Sequence, residues 1–224
     1  MNNAKPVNHI TMALHMMILV FVTLGLVIDF MTSNQLNGAL KLFNYYTIQT
    51  NFIIFAVIAI RLINIRKHQI TSSKVRFITE GATIWSLITM VVFHFMLSKI
   101  YHPEGVRILA NYLLHYAVPS GMLILFFISD HDIGPDWKYP FYIAGYPLLY
   151  GIVSVIRGSI DGFYPYWFLN PQAEYPDGVG NYVNLFLLII IMCILFVLIS
   201  YILLSVRYSI LKSVLRKERK NAGS

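Results

Sequence analysis

The sequence predicts an all-α polytopic membrane protein, a bundle of six transmembrane helices with both termini cytoplasmic. Three observations predict it. The chain of 224 residues is 57% hydrophobic and only 12% charged, about half the charged share of a typical soluble domain. It holds six long runs without Asp, Glu, Lys or Arg, each able to cross a hydrocarbon core as a helix. Its net charge of +7 is gathered into a few short stretches, which suits a membrane topology signal better than a nucleic-acid surface. The single cysteine, Cys193, excludes an intrachain disulfide and argues against a Cys-based metal site.

Taken in order, the runs are Val7–Ile28, Leu42–Ile60, Gly81–Ser98, Ile108–Ser129, Tyr139–Ile156 and Gly178–Val206. The first is longer than a signal-peptide core and reads as a retained span. Residues 1–206 then form one transmembrane domain, and residues 207–224 a basic cytoplasmic tail that lies against anionic headgroups. The connection from Arg61 to Arg76 and the tail carry most of the basic residues. With Lys5 and Lys138 they put thirteen of the seventeen on one side, against Lys41, Lys99, Arg107 and Arg157 on the other. Positive charge marks the cytoplasmic side. The acidic connection Asp130–Asp136 falls there too, but acids weigh little in that rule.

This orientation places polar side chains from all six helices in the outer half of the membrane. Helix 2 contributes Asn44, Thr47, Thr50 and Asn51, with Asn44, Thr47 and Asn51 at i, i+3 and i+7 on one stripe. Gln49 points elsewhere, toward a neighbouring helix. Helix 3 contributes His94, eleven residues after Thr83 and on its face; near the helix end it reads as a structural bond. Helix 4 contributes Asn111 and His115, four apart and therefore on one face. Pro119 follows His115 by four, so it deprives the His115 carbonyl of its helical donor and predicts a kink there. Helix 5 carries Tyr146, Tyr150 and Arg157 at i, i+4 and i+11. That arginine suits an anionic headgroup or a carboxylate, or else an ion pair with Asp161 or Asp29. Asp29, Asn181 and Asn184 close the remaining helix ends. His9 and His15 fall in the inner half, His9 at the interface and His15 as a structural bond. The aromatic connection from Asp161 to Asn170 reads as interfacial, with length enough to form a lid.

The chemistry these residues allow is hydroxyl plus imidazole. Ionisable residues inside a span are functional candidates, although His115 and Asn111 also suit simple helix–helix bonding. No nucleophile elbow, zinc-protease motif or phosphate loop is present in the sequence. No metal or other cofactor is expected: His94 and His115 lack a clearly placed third ligand. Thr47 or Thr50 becomes a nucleophile if helices 2 and 4 pack so that His115 takes its proton. Asn51 or Asn111 then orients the base or stabilises an oxyanion. The competing class is a non-catalytic lipid-binding or small-solute transport protein, for which no internal repeat is evident. Acyl transfer would use the same groups.

Tyr45-Tyr-Thr-Ile-Gln-Thr-Asn51, the Asn111-x-x-x-His115 element with Pro119, and Tyr164-Pro-Tyr-Trp-Phe-Leu169 occur in that order over most of the chain. Together they resemble the androgen-induced-gene family of integral membrane proteins, more closely its bacterial six-helix relatives. The resemblance implies an intramembrane threonine hydrolase that cleaves fatty acid esters of hydroxy fatty acids, with membrane lipids around it and a lipid ester or fatty acid as ligand. It implies a bacterial cell membrane as the location. His115 matches the family histidine. The family threonine falls on Asn44 or Tyr45 here, with Thr47 and Thr50 one turn deeper.

Overall fold

A computed structural model describes residues 9–33, 36–129 and 137–222, with side chains for all of these except residues 36, 37 and 214–222. The chain is four-fifths helical, and the described residues contain no strand. Six helices are long and apolar enough to cross a bilayer: His9–Thr32, Tyr46–Arg66, Ser73–Leu97, Arg107–Ile128, Tyr139–Asp161 and Tyr182–Ser213. Such helices are the mark of an integral membrane protein, because in lipid a helix satisfies its own backbone polar groups. Large apolar side chains accordingly point outward, among them Val20, Leu24 and Val27 on the first span and Leu187, Ile191 and Ile194 on the last.

By contacts the chain divides into two compact units, Met1–Ser129 and Asp130–Ser224. The first holds α1 (His9–Thr32), the short α2 (Leu36–Leu42), α3 (Tyr46–Arg66), α4 (Ser73–Val92), α5 (Arg107–Tyr112) and α6 (Val118–Ile128). Two single π turns interrupt its helices. Phe93–Leu97 extends α4, and Leu113–Ala117 joins α5 to α6 within one span. α1 packs on α3, α5 and α6, and α4 packs on α3 and α6. The core between them includes Ile18, Val22, Ile54, Ile58, Ile84, Leu114 and Met122. Two glycines permit the close approach. A Cβ on Gly25 would stand 2.6 Å from Leu114 Cδ2, and one on Gly121 would stand 2.9 Å from Ile18 Cγ1. Small residues at helix crossings are the usual device of membrane packing.

The second unit pairs α7 (Tyr139–Asp161) with α8 (Tyr182–Ala222), joined by a connection with one 3-10 turn, Trp167–Leu169. Gly162 ends α7 in the left-handed region, φ 75°, with its N–H on the Gly158 carbonyl, as a helix C-terminus favours. Asn181 accepts from the Asn184 N–H at 2.9 Å and caps α8. The basic stretch after Val206 continues α8 as helix to Ala222. Lys5, the connection 130–136 and the side chains of Arg216, Lys217, Arg219 and Lys220 lie outside the described residues.

Three expectations about the elements need correction. The second span starts at Tyr46, because Phe43, Asn44 and Tyr45 form turns with their N–H groups on Leu40, Lys41 and Leu42 carbonyls. Asn44 is therefore no part of the helical stripe. Gln49 turns back to the Phe43 carbonyl at 2.7 Å and closes this turn. Arg61, assigned by charge to a connection, lies inside α3 and is only 8% exposed.

Candidate functional site

The site grows from the second π turn. Pro119 has no N–H, so an α-helical register would leave the His115 carbonyl without its donor. The chain instead shifts register: the Val118 N–H bonds the Leu113 carbonyl, five residues back. That turn and the proline together interrupt the backbone ladder at the Leu114 and His115 carbonyls. Asn51 supplies the missing donor from α3, its Nδ2 lying 3.4 Å from the Leu114 carbonyl and 2.9 Å from that of Thr47. The expected break at Pro119 is present as a π turn, and the carbonyl that Asn51 meets is that of Leu114, one residue before His115. Asn51 is 1% exposed, and its two carbonyl partners fix which end of the amide points where.

This clamp sets Thr47 against His115. Thr47 Oγ1 stands 3.3 Å from His115 Nε2, long for a hydrogen bond and within the range of resting nucleophile–base pairs. The other ring nitrogen, Nδ1, is 3.1 Å from the Asn111 carbonyl. A carbonyl only accepts, so the proton sits on Nδ1 and Nε2 offers its lone pair to Thr47. The Phe93 ring stacks on the imidazole, with centroids 3.9 Å apart at 27°, and holds its plane. Phe93 opens the first π turn, so the two π turns lie side by side, Phe93 on His115 and His94 on Tyr116. π turns inside helices recur at functional sites.

The remaining candidates separate. Thr50 is 0% exposed and its hydroxyl has no hydrogen-bond partner; Asn51 Oδ1 and Asn111 Oδ1 are likewise buried and unpaired. His94 is exposed, with Nδ1 3.3 Å from the Tyr116 hydroxyl. Thr83, eleven residues earlier, is buried and bonds the Thr79 carbonyl at 2.9 Å. Tyr146, Tyr150 and Arg157 belong to the second unit. There Tyr150 meets Tyr166, and Arg157 donates to the Phe163 carbonyl at 3.0 Å, pairs with Asp161 at 3.6 Å and lies over the Phe163 ring. That arginine is held by the last turn of its own helix and the residues just after it. Asn184 bonds the Val179 carbonyl at 2.8 Å, a capping role.

Two participants, Phe93 and the Leu114 carbonyl, and one structural residue, Arg61, carry no plain sequence signal. Phe93 read as one more apolar residue, and the Leu114 carbonyl carries no side-chain signal at all. Arg61 was hidden by its place at a charged border. It donates from Nε to His15 Nε2 at 3.0 Å and from Nη2 to Ser129 Oγ at 3.3 Å, at the end of the unit remote from Thr47. The signal available for Arg61 was the unbroken helical pattern running from Tyr46 to Arg66. No family model, curated protein or solved structure matches the chain.

Proposed function

We propose that the first unit is an intramembrane hydrolase of lipid esters, of the fatty acid ester of hydroxy fatty acid type, with Thr47 as nucleophile and His115 as general base. One observation carries this reading: Thr47 Oγ1 faces His115 Nε2 at 3.3 Å while the Asn111 carbonyl holds the Nδ1 proton. This is the arrangement a hydroxyl nucleophile needs, a base within reach and a third group orienting the base. In the first step the Thr47 hydroxyl proton passes to Nε2 and Oγ1 bonds the ester carbon. The carbonyl electron pair moves to oxygen. On collapse the alkoxide leaves with the proton from Nε2, and the acyl group stays on Thr47. Water, activated by the same nitrogen, then attacks the acyl carbon, and the acid departs as Thr47 recovers its proton. Asn51 and Asn111 support the two reacting groups, and no cofactor enters.

Both termini are cytoplasmic in this reading, and the site lies in the outer half of a bacterial cell membrane. Withdrawing Arg61 from the charge count leaves the excess of basic residues on the same side. The basic end of α8 rests on anionic headgroups. The resemblance to the androgen-induced-gene family supports the same chemistry. Thr47 takes the place of the family threonine because it is the hydroxyl paired with the histidine. The test is ester turnover by purified protein in lipid, with Thr47→Ala and His115→Ala alongside. Both variants are expected to lose turnover by about 10²–10⁴-fold while remaining folded. A folded wild type that turns over no ester would favour a ligand-binding protein instead.

A further inference from the structure

We propose that Thr50 is a second catalytic hydroxyl, the donor that holds the ester carbonyl oxygen while Thr47 attacks the carbon; this rests on the hydrolase reading above. A helical threonine ordinarily donates to the carbonyl four residues earlier. The buried threonines of α4 do so: Thr79 to Val75 at 2.7 Å, Thr83 to Thr79 at 2.9 Å and Thr89 to Trp85 at 2.9 Å. Thr47 faces His115. Thr50 alone makes no hydrogen bond, although it is 0% exposed. The equally buried Asn51 Oδ1 is also unpaired, so the two neighbours do not satisfy each other and the Thr50 proton stays uncommitted. A buried hydroxyl held out of its ordinary bond costs stability, and such costs gather where a ligand is met.

The position fits the role. Thr50 follows Thr47 by three residues on α3, and side chains so spaced have Cβ atoms about 5–6 Å apart on one face. An attacked carbonyl spans that interval, with its carbon on Thr47 Oγ1 and its oxygen toward Thr50. As Oγ1 bonds the carbon and its proton passes to His115 Nε2, the π pair becomes an oxyanion. Thr50 Oγ–H donates to that oxyanion and keeps its own proton throughout. When the alkoxide leaves, the carbonyl reforms and the donor is released. Donors aimed at the developing charge act where water is excluded, which is where they contribute most.

Two variants test the assignment, Thr50→Val and Thr50→Ser, each purified in lipid and measured for kcat, KM and thermal midpoint, with covalent labelling of wild type by a fluorophosphonate. Valine keeps the branched shape and removes only the hydroxyl. Its expected effect is a fall in kcat of about 10²–10³-fold, a nearly unchanged KM, and a midpoint equal to or above wild type. Serine restores most of the turnover. A Thr50→Val protein with wild-type kcat overturns the role of Thr50 and leaves the hydrolase standing. A lowered midpoint that accounts for the lost activity, unrescued by serine, also overturns it by making Thr50 structural. A wild type that neither turns over ester nor takes a label at Thr47 removes the hydrolase reading and this assignment with it.

Discussion

The first unit contains two histidines built alike and partnered differently, His15 buried and His115 half-buried. His15 on α1 and His115 in the second π turn each hold Nδ1 on the carbonyl four residues earlier, at 2.7 Å on Thr11 and 3.1 Å on Asn111. Each therefore presents the Nε2 lone pair. His15 Nε2 receives a proton donor that will not leave, the guanidinium of Arg61, which also reaches Ser129 and so ties α1, α3 and the end of α6 together. His115 Nε2 meets a hydroxyl that can give its proton up. In the proposed reading, what separates a staple from a base is the partner on the facing helix. Both partners sit on α3, Thr47 near its start and Arg61 near its end. A histidine in a membrane span is thus a poor guide to function until its Nε2 partner is known.

The contrast can be broken most forcefully by removing each histidine in turn. His115→Ala is expected to lower ester turnover by about 10²–10⁴-fold with little change in thermal midpoint. His15→Ala is expected to do the reverse, removing about 1.5–3 kcal/mol of stability by taking a partner from a charged donor, while the folded fraction keeps its kcat. Thermal unfolding and ester hydrolysis on the same lipid-reconstituted samples read both. Equal losses from the two variants on both readouts would erase the distinction.

A second variant probes how Thr47 is held. Asn51→Leu removes the donor to the Thr47 and Leu114 carbonyls. A displacement of the nucleophile of about 1 Å is enough to cost about 10²-fold in kcat, and that loss is expected here with KM moving less. Wild-type kcat in Asn51→Leu would mean the π turn holds His115 without help from α3.

Gly25→Ala acts on the scaffold beneath His115. Its Cβ would meet Leu114 Cδ2 at 2.6 Å and Cγ at 2.7 Å, so α1 and the π turn must part. Overpacking of this kind costs about 1–3 kcal/mol. Thermal midpoint and turnover should fall together, unlike the split pattern of the histidine variants. The smallest effect is expected from Arg157→Gln, since its partners Asp161 and Phe163 lie at the end of α7 and just after it. An exposed pair contributes roughly 0–1 kcal/mol, and ester KM should not change. A tenfold rise in KM for anionic esters alone would return Arg157 to the role of carboxylate contact.

The six apolar runs were legible because a bilayer demands some twenty uncharged residues in a row, and that demand leaves little freedom. Helix ends were less so. Arg61 sits at a charged border that reads as a connection, yet it is buried by pairing with His15, a partner 46 residues away that no local pattern announces. Asn44 looked continuous with Thr47 and Asn51 by spacing, but the turn after α2 intervenes. Within the site, Asn111, His115 and Pro119 marked their own helix as unusual. The π register could not be read from them, since a proline states only that one donor is missing. That α3 would bring Thr47 rather than Thr50 to Nε2 depends on the rotation of two helices, which the apolar pattern on either one does not define.

The most direct measurement identifies the residue that carries an adduct after the wild-type protein in lipid reacts with a fluorophosphonate, with His115→Ala and His15→Ala treated in parallel. Peptide mass spectrometry should find the phosphonyl group on Thr47 in wild type and in His15→Ala, and nowhere in His115→Ala. An adduct on another hydroxyl, or labelling of Thr47 that survives the loss of His115, would contradict the account.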